Sequence, residues 1–164
     1  MSDYHLAQLN IARPLAPIDS PLLKEFNDNL GYINGLAEAA AGFVWRWETR
    51  PGDPIEGEVF GAGCIVNLSV WESMTPLRQF VYHSEHLAFL RRKKEWFESM
   101  AEAHMVLWWQ AAGSLPNLHE AKRRLDLLRN EGPSEQAFSF KRHYPKPKAS
   151  MGSGTASDNS CLIS

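Results

Sequence analysis

Gly63-Cys64-Ile65-Val66-Asn67-Leu68-Ser69-Val70-Trp71-Glu72 is the stretch on which the reading of this chain turns. Val66, Leu68 and Val70 fall on one side of a two-residue repeat; Ile65, Asn67, Ser69 and Trp71 fall on the other. That is the signature of a strand with one aliphatic and one mixed face. Thr75-Pro76 follows closely, an N-cap residue with Pro at the first helical position. The spacing predicts a strand over 63–72 and then a helix to about Phe97, broken near Ser84.

Working outward, Tyr4–Ala12 alternates as a first strand, and Ser20-Pro21 starts a helix carrying Leu22, Leu23, Phe26, Leu30, Ile33 and Leu36. Phe43–Thr49 reads as a second strand with Phe43, Trp45 and Trp47 on one face. Arg50–Gly61, with two prolines and three glycines, reads as a loop. Ala103–Ala111 is a fourth strand whose Trp108 and Trp109 point to opposite faces. Asn117 caps a last helix, with Glu120 as its capping-box partner and Gly132-Pro133 as its stop; Ala137–Phe140 is a short edge segment. The order is strand, helix, strand, strand, helix, strand, helix. It predicts an α+β, ferredoxin-like split βαβ domain over residues 1–146 with an extra C-terminal helix, and a disordered tail over 147–164. The aliphatic face of the third strand is expected against the helices. The mixed face is expected to look toward a second copy of the sheet, giving a homodimeric α/β barrel.

The 164 residues are 44% hydrophobic with a net charge of −2, enough for a core and without the basic excess of a nucleic-acid binder. Two cysteines do not make a disulfide framework, and Cys64 reads as a small buried hydrophobe. No basic start precedes an apolar run, and no stretch of about 18 apolar residues is present, so a reducing, cytoplasmic setting is expected. A phosphate-binding glycine loop and a nucleophile elbow are absent from the sequence.

Chemistry concentrates around Trp71–His86. His83 and His86 lie three apart, the spacing of a helical metal pair that would need a third ligand such as His104; each histidine equally suits a structural backbone bond. His86 as a general acid–base, with Tyr82 one turn away donating to an oxyanion, needs no cofactor. Asn67, Ser69 and Trp71, joined by Gln8 and Asn10, are polar groups for an otherwise apolar pocket, with water-satisfied interface residues as the alternative. Trp47 and Trp108 add apolar wall. Arg91, within the run Arg91–Lys94, either turns toward an anionic ligand or belongs to a solvated helix end.

Phe43-Val-Trp-Arg46, Asn67-Leu-Ser-Val-Trp-Glu72, Leu77-x-x-Phe-Val-Tyr82, His86, Arg91-Arg-x-x-Glu-Trp-Phe97, Leu107-Trp-Trp109 and Gly132-Pro-x-x-x-Ala-Phe-x-Phe140 together resemble the domain of unknown function 3291 family, over about residues 4–146. That family is similar to the dimeric α/β-barrel superfamily, which includes cofactor-independent antibiotic-biosynthesis monooxygenases, haem-degrading enzymes and small-molecule cyclases or isomerases. The resemblance implies the barrel fold, a homodimer and a small apolar or aromatic ligand. It leaves open a cofactor-free enzyme, a non-catalytic carrier or a haem binder. Gln110, where an apolar residue is expected, and the tail depart from the pattern. The tail ends Cys161-Leu162-Ile163-Ser164, a farnesylation signal in a eukaryotic cell and a weak membrane tether if used.

Overall fold

The computed structural model describes residues 3–48 and 54–148. Its elements are β1 (Tyr4–Ala12), a 3-10 turn (Pro21–Leu23), α1 (Lys24–Ala39), β2 (Phe43–Arg46), α2 (Pro54–Phe60), β3 (Ile65–Trp71), α3 (Met74–His83), α4 (His86–Arg91), α5 (Lys93–Trp96), β4 (Met105–Ala111) and α6 (Leu118–Glu131). The strands form one antiparallel sheet in the order β2-β3-β1-β4. β1 and β2 are parallel with β3 inserted between them, which is the ferredoxin-like split βαβ topology. The expected α+β class and the added C-terminal helix are both present.

Alternation along the central strands builds two cores. Ala7, Leu9 and Ile11 of β1, Val66, Leu68 and Val70 of β3, and Val106 and Trp108 of β4 share one face. Phe60 of α2 and Leu118, Ala121, Leu125 and Leu128 of α6 close over them. Leu6, Trp71 and Leu107 lie on the opposite face with Leu77 of α3 and Phe138. Asn117 starts α6 by accepting a hydrogen bond from the Glu120 N–H at 2.8 Å. Gly132, at φ +76°, ends it with a 3.0 Å bond to the Leu128 carbonyl. Gly42, at φ +82°, lets the α1–β2 turn sit against α3: an added Cβ would meet the Pro76 Cβ at 2.5 Å.

Several sequence expectations are corrected. The 50–61 segment holds α2 where a loop is expected, because Ile55, Val59 and Phe60 gain a sheet face to pack on and Gly61, at φ +101°, supplies the stop. A bulge between Phe43 and Trp45 shifts the phase of β2, so Phe43 joins the Trp71 core while Trp45 and Trp47 join the other. Ser73, not Thr75, occupies the N-cap of α3. The 75–97 helix is three pieces, and the 137–140 strand reduces to isolated bridges, Phe138 with Leu107 and Ala137 with Ser134.

The face bearing Val66, Leu68, Val70, Trp45 and Trp108 is covered by α2 and α6 of the same chain, and the mixed face looks toward α1 and α3. The aliphatic face therefore packs against helices, as expected, with α2 and α6 supplying them. Cys161 and the tail from 149 onward lie outside the described residues.

Leu125 is fully buried between α6 and the sheet, and Leu115 is 57% exposed. Leu125→Ala is expected to cost about 2–5 kcal/mol in urea unfolding. Leu115→Ala should stay within about 0.5 kcal/mol of the parent. Equal midpoints for the two variants would show that α6 does not close the core.

Candidate functional site

The mixed face carries a hydrogen-bonded chain. The Trp71 indole N–H donates to Ser69 Oγ at 3.0 Å, Ser69 Oγ donates to Gln8 Oε1 at 3.0 Å, and Gln8 Nε2 donates to the Asn67 carbonyl at 3.2 Å. Gln8 and Ser69 are 7% and 5% exposed, so this chain satisfies polar groups that would otherwise be costly to bury. It exists because Gln8 and Ser69 face each other across the β1–β3 ladder. Each bond polarises the next and fixes the Gln8 amide with its oxygen toward Ser69. Asn10 and Asn67, also directly paired, continue the same face; Asn67 is exposed.

His86 reaches this face through two aromatic rings. Trp71 stacks on Phe80 at 5.3 Å between centroids, and Phe80 lies 5.0 Å from the His86 ring. The sequence arranges this by breaking the helix. Ser84 Oγ donates to the Phe80 carbonyl and accepts the His86 N–H at 3.2 Å, ending α3 and restarting the chain as α4. The break leaves the Val81 carbonyl free, and His86 Nδ1 lies 3.3 Å from it. A carbonyl only accepts, so Nδ1 carries the proton and Nε2 presents its lone pair. Burial pushes the His86 imidazole below its ordinary value, opposed by the Val81 bond, so the ring is neutral at pH 7.

α1 stands over the same face without filling it. Phe26, Leu30, Ile33 and Ala37 form its inner stripe, yet no residue of α1 is buried. Ala37 packs against the Trp71 core; Leu30 and Ile33 join neither core among the described residues. α1 lies along β2 and α4 and makes no sustained approach to β1 or β3. It is fastened from outside: Arg92 holds both Glu25 oxygens at 2.6 and 2.7 Å, Tyr32 bonds Glu85, and Phe26 packs edge-on to Phe97 at 4.9 Å. The candidate site is the polar strip Gln8, Asn10, Asn67 and Ser69 on this sheet face, of which Gln8 and Ser69, like Trp71, are buried and Asn67 is exposed. An open groove of about 570 Å³ runs along β2, lined by Glu38 and residues 43–48, and contains the 2.6 Å Arg46–Glu38 ion pair.

Of the residues singled out in the sequence, the structure brings together Asn67, Ser69 and Trp71 with Gln8, and links His86 to them through Phe80. Tyr82 is not among them: the break at Ser84 removes the shared helical face, and its exposed ring packs against Phe140 at 5.7 Å. Trp108 lies in the opposite core, and Trp47, on that same side, donates to the buried Glu56 at 2.9 Å. Arg91 is exposed at the end of α4. Gln110 donates to the Ser114 carbonyl at 2.5 Å in the following turn. His83, His86 and His104 do not converge, and no cluster of three potential metal ligands occurs among the described residues. No helix among them is long and apolar enough to cross a membrane. Phe80, which connects His86 to the floor, escapes a reading by sequence because nothing in local spacing ties it to Trp71.

Among solved structures, the chain is similar to SnoaB, a cofactor-independent oxygenase from Streptomyces nogalater, at 16% identity and a TM-score of 0.46, covering 71% of this chain and 100% of that one. No curated protein matches. A family match spans residues 5–154, the β1 strand through α6 and beyond, and so covers the sheet and the His86 break together. By that match the chain belongs to the family described as Domain of unknown function (DUF3291).

Proposed function

We propose that the mixed sheet face beside α1, where Asn67 is exposed, binds a small apolar or aromatic molecule, and that the chain is an enzyme acting on it by proton transfer without a bound cofactor. The observation that carries this reading is His86: a neutral imidazole with Nδ1 held by the Val81 carbonyl and Nε2 left to accept a proton. Base-catalysed cyclisation and isomerisation of phenols and polyketide-like molecules begin by removing a proton from an acidic O–H or C–H, and an oxygenation would in addition take dioxygen as the oxidant of the anion so formed. Nε2 takes that proton. The exposed Asn67 amide donates to the oxygen on which negative charge grows, and the Gln8–Ser69–Trp71 chain keeps the floor rigid while this happens. Aromatic walls hold the ring of the ligand and exclude water.

Mass spectrometry of small molecules that co-purify with the protein identifies the ligand. With that molecule as substrate, His86→Asn is expected to lower turnover by about 100-fold or more. His83→Asn, at an exposed position outside the ring stack, should leave turnover unchanged. Two folded variants with equal turnover would remove His86 from the mechanism.

His86 also sets a pH dependence of stability. Its folded value lies below the ordinary 6.5, so the unfolded chain binds more protons once the pH drops below that point. Stability is complete above about pH 6.5 and declines below it. The half-buried His104, whose value is also lowered by burial, adds to the decline. Urea midpoints are expected to fall between pH 7.5 and 5.5, and less steeply in His86→Phe. A midpoint that does not move over this interval would contradict the burial of a neutral His86.

A further inference from the structure

The two halves of α1 are held very differently. Leu23, just before its first turn, is fully buried. Phe26 lies 5.6 Å from the Trp96 ring and 4.9 Å from the Phe97 ring, and both Glu25 oxygens accept from Arg92 at 2.6 and 2.7 Å. Beyond Gly31 such anchors stop. Ala37 and Ala40 pack against the Trp71 core, and an Ala methyl group buries little area. Two polar side-chain contacts fasten this half among the described residues. The Tyr32 hydroxyl donates to the Glu85 carboxylate, and Arg46 Nε donates to Glu38 at 2.6 Å. Tyr32 is 52% and the Glu38 side chain 48% exposed, so water competes for both contacts.

The backbone of this half is weak as well. Gly31 and Gly35 stand inside the helix, where only proline is a poorer helix former. Packing requires neither of them, since a Cβ added at either would meet nothing within 4 Å. At the far end Gly42, at φ +82°, turns the chain into β2, and its carbonyl accepts the Glu72 N–H at 2.8 Å. Residues 32–40 therefore lie between an interior glycine and a fixed glycine turn.

What this half touches is the mixed sheet face. Ala37 and Ala40 share a cluster with Trp71, Phe43 and Phe80. Arg46, the partner of Glu38, stands directly opposite Ser69 in the β2–β3 ladder, so the two side chains share a face, in the row that continues to Gln8. Glu85, the partner of Tyr32, directly precedes His86.

We propose that residues 32–40 of α1 are a flap on the mixed face, hinged at Gly31 and Gly42 and latched by Glu38–Arg46 and Tyr32–Glu85. It opens while the sheet and the N-terminal half of α1 stay folded. Opening uncovers Trp71 where Ala37 and Ala40 pack, and releases the Arg46 guanidinium beside Ser69. A ligand then has a way onto the face without unfolding of the domain. That use of the flap rests on the function proposed above. The opening itself does not, and is tested without a ligand.

The test is hydrogen–deuterium exchange of the full chain at pH 7, followed amide by amide by NMR and corrected for intrinsic rates. Amides of residues 34–39 are expected to share one opening, at least about 100-fold less protected than β1 and β3, with 28–30 better protected than 34–39. Their exchange should depend on urea much more weakly than that of the sheet, because the flap exposes little surface. Glu38→Gln and Tyr32→Phe should each speed exchange of 34–39 roughly threefold. Gly35→Ala should slow it about fivefold. Residues 34–39 as protected as the sheet would overturn the proposal. So would equal protection on both sides of Gly31, a gradient rising smoothly toward Ala39 as in simple fraying, or folded variants at both latches that exchange as the parent does.

Discussion

Because β1 is hydrogen-bonded to β3 on one side and β4 on the other, its register decides which side chains share a face. A slip of one residue would exchange Leu6, Gln8 and Asn10 for Ala7, Leu9 and Ile11 and put two polar side chains, Gln8 and Asn10, into the α2–α6 core. The register that is adopted sorts aliphatics to one side and polar or aromatic groups to the other. The aliphatic side is sealed by α2 and α6. The other is partly sealed by α3, and α1 stands away from it. The polar strip on that face follows from this asymmetry and not from any one residue.

That strip is a compromise between burial in a core and usefulness to a ligand. Gln8 and Ser69 are buried, and their groups are satisfied by each other, by the Trp71 indole and by a backbone carbonyl. An all-aliphatic floor would pack as well and need no such chain of bonds, but it could not orient a polar group on a bound molecule. His86 follows the same logic. A helix continued through Ser84 would keep the Val81 carbonyl in its own ladder. Breaking it costs backbone bonds, partly offset by Ser84 and by His86 itself, and in return fixes the tautomer of the imidazole.

Charge is distributed on a longer scale. Carboxylates slightly outnumber cations in the chain, 19 against 17, and several of both are paired. Arg92 shows how one cation leaves the solvated set: its two carboxylate partners and the Trp96 face hold it in place, which also clasps α1 against α5. The neighbouring Arg91, Lys93 and Lys94 point elsewhere because successive helical positions are about 100° apart.

The sequence by itself determined the strands at 4–12 and 65–71, the start of the last helix at Asn117, its stop at Gly132 and the split βαβ order. These depend on alternation, caps and turn residues, which act within a few positions of one another. It also marked Asn67, Ser69, Trp71 and His86, within a wider set that included Tyr82, Trp47, Trp108 and Arg91. Only the tertiary structure decided that α2 forms where Pro and Gly suggest a loop, and that a bulge separates Phe43 from Trp45. The same holds for the cover of the aliphatic face by α2 and α6, for the separation of Tyr82 from His86 and for the removal of Trp47 and Trp108 to the far core. The bond from Ser69 to Gln8 spans 61 positions, and the contact from Trp71 to His86 needs Phe80 between them. Such relations are set by which surfaces remain to be buried once the sheet has formed, and local sequence carries no record of that remainder.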